Sequence, residues 1–248
     1  VYYGAGVTDH NNQALFSIGV GSTIGPFSNN NLSRSYAFEV NLSPAATAAD
    51  TLTWDGSGDG NWTDAHWTGG SSATFPDADV FAVVQTDTVS VTGAQQAQRL
   101  TVESGGVSIG AGGSLTFGNI AAVIVDSGAT LTLDGGSTGA SLIATNGGGS
   151  ISSLVLNGLG TISNAVDLSI DSLSDGGAAG TLTKQGTGDL ILTAAGANAI
   201  SGGTNFDVQA GRLVAVHNAG NNALGNGSVT LNGGGMVLSS TAAATFDN

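Results

Sequence analysis

The stretch "GTLTKQGTGDLILTAAGANAISGGT", Gly180 to Thr204, holds one lysine, one aspartate and no other charge. Its apolar side chains alternate with polar ones in "TLT" and "DLIL", and glycine or asparagine closes each run. That is the pattern of short, half-buried strands joined by tight turns. Reading outward in both directions, the pattern repeats: "SLTF" (Ser114 to Phe117), "TLTL" (Thr130 to Leu133), "SLVL" (Ser153 to Leu156) and "SVTL" (Ser228 to Leu231) are bounded by Gly, Asn, Asp or Ser. No window of a dozen residues places apolar side chains at i, i+3, i+4 and i+7 between caps, so helix is not expected.

Composition narrows the class. The 248 residues include 41 glycines, 3 prolines and no cysteine, and only 9% are charged, about a third of the usual share. Glycine-rich chains stay disordered when they bury too little apolar surface to offset conformational entropy. Here 40% of residues are hydrophobic and stand in alternating runs, which argues for packed β structure. Without cysteine there are no disulfides and no thiolate metal sites. Eighteen acidic residues against four basic ones, Arg34, Arg99, Lys184 and Arg212, give a net charge of −14. Phosphate backbones and anionic lipid surfaces attract clustered cations, so nucleic acid and membrane surfaces are excluded as expected partners. No run of about 18 apolar residues would span a bilayer as a helix. The opening "VYYGAG" and the closing "TAAATFDN" read as those of a processed form or an excerpt.

Glycines ahead of the strands recur at a coarse period. Gly106, Gly128 and Gly149 are 22 and 21 residues apart, and Gly188, Gly211 and Gly235 are 23 and 24 apart. A repeat of this length predicts an all-β, right-handed parallel β-helix, or β-solenoid, with two or three short strands in each coil. Equivalent strands then stack about 4.8 Å apart and alternate side chains fill a shared tube. The inward set is expected to be Leu115, Phe117, Leu131, Leu133, Leu154, Leu156, Leu182, Leu190, Leu192, Leu213, Val229, Leu231 and Val237. Lys184 is expected to face solvent. Residues 82–248 would make roughly seven coils, about 35 Å of rod.

Residues 51–81 hold all three tryptophans, Trp54, Trp62 and Trp67. They are expected to form a cap, because a solenoid must cover its last apolar rung. A sugar-stacking platform made by the same three rings is the alternative. Residues 1–50 carry Tyr2, Tyr3, Phe16, Phe27, Tyr36 and Phe38 with alternation in "YAFEVNL", and are read as a separate strand-rich segment.

From Gly180 onward the chain resembles the autotransporter-associated β-strand repeat of bacterial passenger domains. The resemblance rests on "LTKQGTGDLIL" at Leu182 to Leu192, "SGGT" at Ser201 to Thr204, "QAGRLVAV" at Gln209 to Val216 and "ALGNGSVTLNGG" at Ala223 to Gly234. It implies a right-handed β-helix exported to the cell surface as an adhesin, spacer or matrix protein. "NAISGGT" departs from the pattern, with Ala199 and Ile200 where an aromatic is expected nearby.

Few residues suggest chemistry. "GGSTG", Gly135 to Gly139, has the spacing of a nucleophile elbow around Ser137, but no helix is expected after it. "DGSGDGNWTDAH" begins like an oxygen-ligand calcium loop, with Asp55, Ser57 and Asp59 at alternate positions and Asp64 as a further ligand. The twelfth position is His66 rather than a bidentate glutamate, so a hydrogen-bonded turn is the first reading and calcium the alternative. Asp126, Asp134, Asp167, Asp171 and Asp175 form no pair that spacing identifies. His10, His66 and His217 lie far apart in the sequence and are read as turn residues. The expectation is a non-catalytic, cofactor-free extracellular rod on a bacterial surface. Its partners would be itself, head to tail or laterally, or other surface proteins and polysaccharides.

Overall fold

The computed structural model describes residues 51–69, 75–117, 123–145, 147–193, 198–201, 203–218 and 222–240. The chain divides into two compact units, Val1–Ser43 and Pro44–Asn248, and every described residue belongs to the second. The segment 1–50 therefore lies outside the described residues, as does His10.

Every regular element among the described residues is a β-strand, and the strands stack in parallel as a β-solenoid with three faces. The first face has nine parallel rungs: Thr51–Trp54, Phe81–Val84, Arg99–Val102, Val123–Val125, Gly149–Ile151, Leu168–Ile170, Asp189–Leu192, Arg212–His217 and Gly235–Ser240. The second face runs from Gly60–Asn61 through Thr88–Val91 and Gly106–Gly110 into the front halves of two long strands, Thr130–Ala144 and Leu154–Asn164. It then narrows to Leu173–Ser174 and a single bridge from Ser174 to Ala199. The rear halves of the same two long strands belong to the third face, together with Ala94–Ala97, Ser114–Phe117, Thr181–Gln185, Asn205–Val208 and Ser228–Leu231.

The long strands turn the corner between the second and third faces, and glycine makes the turn. Gly158 has φ +84°, and a Cβ built there would lie 2.3 Å from the carbonyl oxygen of Gly136 in the winding beneath. Only glycine permits both that backbone and that approach.

Alternation sets the core. On the first face Leu100, Val123, Gly149, Leu168, Leu190 and Leu213 align rung upon rung; the five side chains are buried, each rung covering the next with apolar surface. Successive rungs of this face lie between 18 residues apart, as from Ala82 to Leu100, and 26 apart, as from Val123 to Gly149. The first step is 30, from Leu52 to Ala82, and carries the tryptophan segment. Residues 51–81 are thus continuous with the rod, since Thr51–Trp54 is its first rung.

The inward set holds for ten of its thirteen members, from Leu115 to Leu213. Three depart. Val229 is only partly buried and Leu231 is 52% exposed, because their strand, Ser228–Leu231, ends its sheet. Val237 has the other parity: buried Leu213 aligns with Met236, so Val237 stacks on outward Val214. The glycine period also mixes positions. Gly106 lies on the second face and Gly149 on the first, so the spacing reported the mean winding length rather than equivalent sites.

Candidate functional site

The three indoles form a closed cluster. Trp54 and Trp67 meet edge to face with centroids 5.2 Å apart, and Trp62 meets Trp67 in the same manner at 5.1 Å. Trp54 is 2% exposed, Trp62 0% and Trp67 6%. Each indole N–H is satisfied within the protein: Trp54 donates to Gly58 O at 3.1 Å, Trp62 to Pro76 O at 3.1 Å and Trp67 to Trp62 O at 2.8 Å. The strand Trp67–Gly69 pairs antiparallel with Thr51–Trp54 at the edge of the first face. Stacking of a sugar ring requires an exposed aromatic face, and these rings face one another and the core.

The loop from Asp55 spends its carboxylates singly. Asp55 accepts from Ser57 N at 3.0 Å, Asp59 from Thr88 N at 2.7 Å and Asp64 from Asn61 N at 2.7 Å. The Ser57 hydroxyl shares a hydrogen bond with His66 Nδ1 at 2.8 Å, and His66 lies 3.4 Å from Asp55. Hydrogen bonds from Ser57, with His66 beside it, hold Asp55 below the ordinary carboxylate range. Asp55 and Asp64 thus cap turns within the loop, Asp59 ties it to the strand Thr88–Val91 and the Ser57 hydroxyl bonds His66; among the described residues no group of three or more His, Asp or Glu side chains is placed to hold a metal. His217 ends the strand Arg212–His217 instead of lying in a turn.

Ser137 lies within the continuous strand Thr130–Ala144, at the corner, with no helix after it. Among the other acids, Asp134 accepts from Asn157 at 2.7 Å, Asp167 from the amide of Asp189 at 2.9 Å and Asp171 from the hydroxyl of Thr193 at 2.8 Å. Each of these bonds joins one winding to the next.

Two ionisable groups among the described residues are buried, and sequence reasoning missed both roles. Lys184, read as a solvated side chain, is 1% exposed. It occupies an inward slot aligned with Ile162 below and Val208 above. Its Nζ donates to the carbonyls of Gln185 at 2.5 Å, Gly186 at 2.9 Å and Ala210 at 3.2 Å. Burial pushes its pKa down to about 8, against the opposing influence of Asp189 and Asp167. Asp175 is 1% exposed and accepts from Ser201 N and the Thr204 hydroxyl, both at 2.6 Å, and from Gly177 N at 3.0 Å. Burial pushes its carboxyl up, but these hydrogen bonds outweigh it and hold the group at about 2. Asn164, fully buried, donates to Val166 O and to Asp189 O of the next winding, both at 2.9 Å. All three side chains tie backbone to backbone where the tube turns.

Chemistry turned inward leaves a plain exterior. Along the middle of the first face the outward residues align as Thr53, Val83, Thr101, Ile124, Ser150, Ser169, Ile191, Val214 and Val237. None is charged. The margins of this face carry the ions: Arg212 binds Asp189 through two bonds, one of 2.9 Å, and Glu103 accepts from Gln85 at 2.9 Å. The third face differs, since its central ladder passes through Asp207 between Thr183 and Thr230. The alternation that fixed the core could have yielded the uncharged ladder, had the rungs been aligned.

Comparison with protein-family models, with curated proteins and with solved structures finds no match to this chain.

Proposed function

We propose that this chain is a non-catalytic, extracellular β-solenoid of a bacterial surface, a structural or adhesive rod whose copies associate into fibres or cell-to-cell contacts. One observation carries the reading. The side chains best suited to chemistry, Lys184, Asp175 and Asn164, are buried and committed to holding one winding to the next, while a ladder of nine uncharged residues is presented outward. A protein built this way offers extent and surface. The resemblance of residues 180–240 to the autotransporter-associated repeat supports export and surface location. Unguarded β surface supports association, because lysines placed along sheets are a common barrier to it and the one lysine here is buried.

The test is the state of the purified chain. Sedimentation and negative-stain imaging over a range of concentrations are expected to show short rods that give way to longer or thicker assemblies. Particles that stay single up to millimolar concentration would remove the associative part of the reading.

A further inference from the structure

We infer that the first face is the contact surface and that its occupant is the same face of a second copy of this chain. The inference rests on the associative reading above and names the surface for its pairwise form, one rod laid against another.

Charge selects the face. Two copies each carrying a net charge of −14 repel wherever their acidic turns approach. The central ladder of the first face carries no ionised group over its whole length, and in the row beside it the Asp189 and Arg212 charges offset each other. It is also the most apolar of the exterior ladders, with Val83, Ile124, Ile191, Val214 and Val237 at five of its rungs, all half-buried and β-branched. The second face lacks this extent, since it narrows to one bridge at Ser174.

Pitch selects the occupant. The ladder repeats at about 4.8 Å, the spacing of hydrogen-bonded strands, so protruding Val and Ile methyls of one copy fall between rungs of another with the same repeat. A surface not built of stacked strands has no such periodicity. An isologous contact of this kind closes into a two-fold pair. Its size is consistent with a weak pair: nine rungs span about 38 Å, and strands of four residues about 13 Å. The contact would bury roughly 500 Å² on each copy, at the low end for a specific interface. Association is therefore expected to depend on concentration and to strengthen with salt, which screens the mutual repulsion.

The experiment compares the 248-residue chain with Val83→Lys/Val214→Lys and with Thr132→Lys on the second face, by sedimentation equilibrium. Circular dichroism checks that each variant keeps its β signal. The double variant is expected to weaken self-association at least tenfold, with Thr132→Lys unchanged. Because the chain has no cysteine, Ser150→Cys, at the fifth of the nine rungs and so beside the two-fold axis in either orientation of the pair, supplies a second readout on a near-isosteric side chain, expected to give disulfide-linked pairs under mild oxidation where Thr132→Cys does not. Should both lysine variants weaken association equally, or neither do so, and should the two cysteines pair alike, the face assignment falls while self-association stands. A wild-type chain that never associates overturns both.

Discussion

The ammonium of Lys184 reaches out of its own winding and donates to the carbonyl of Ala210 in the next, at 3.2 Å. With its bonds to Gln185 and Gly186, one buried side chain satisfies three carbonyls where the tube turns. Lys184→Met keeps the volume and removes the donors, leaving buried acceptors unpaired. It is expected to destabilise the protein by about 1–3 kcal/mol, read as a lower urea midpoint with an unchanged slope.

Lys184 also sets an alkaline signature. Its folded pKa of about 8 lies below the ordinary 10.5, so between these values the unfolded chain binds more protons than the folded one, and stability rises with pH. Below pH 8 the cost of burying the charge is borne in full. Unfolding measured across pH 8 to 10.5 is expected to show wild type gaining stability and Lys184→Met lacking that gain; a parallel response of the two would reject the assignment.

Lys184 also measures what the sequence makes legible. Strand alternation was sufficient for most of the core, because Leu182, Leu190, Leu192 and Leu213 are inward for the reason any Leu in such a strand is. The same parity, applied to "TLTKQ", puts Lys184 inward two residues after Leu182; charge argued the opposite, and only the carbonyls from the turns explain why burial is tolerated. Those carbonyls come from another winding, which no local pattern contains. Register is the second missing item. Val237 reads as inward until Leu213 is known to align with Met236, and the uncharged ladder exists only once nine separate strands are laid side by side. Burial of the tryptophans was legible because large apolar rings go to the core wherever one is at hand.

Asp175 governs the acid limb. Its folded pKa is about 2, below the ordinary 3.8, so its contribution is full above pH 3.8 and is lost as the pH falls through 2. Asp175→Asn is expected to cost about 1–3 kcal/mol at neutral pH and progressively less toward pH 2. A constant difference across that range would show that the charge is not what Ser201 and Thr204 stabilise.

The corner at Gly158 is expected to tolerate no side chain. Gly158→Ala meets the Gly136 carbonyl as well as the unfavourable φ of +84°, and should cost more than Gly128→Ala. At Gly128 φ is +93° but nothing lies within 4 Å, leaving a strain of about 1–2 kcal/mol. Thermal unfolding of the pair separates close approach from backbone strain.

Trp62 is the most deeply buried of the three clustered indoles. Trp62→Ala removes a fully buried indole and is expected to destabilise by about 3–5 kcal/mol. In the intact protein the emission of the three buried tryptophans should stay blue and unchanged when surface polysaccharides are added. A shift on addition would show that a ring face opens to a sugar after all.

The parallel stacking has a mechanical consequence. Inter-rung hydrogen bonds point along the rod, so axial tension loads successive windings in series and the weakest peels first, leaving its neighbours intact. Each winding released trades about 5 Å of rod for about 75 Å of extended chain, taking some 22 residues at 3.4 Å each. A tether made this way would yield by stepwise lengthening well before it broke.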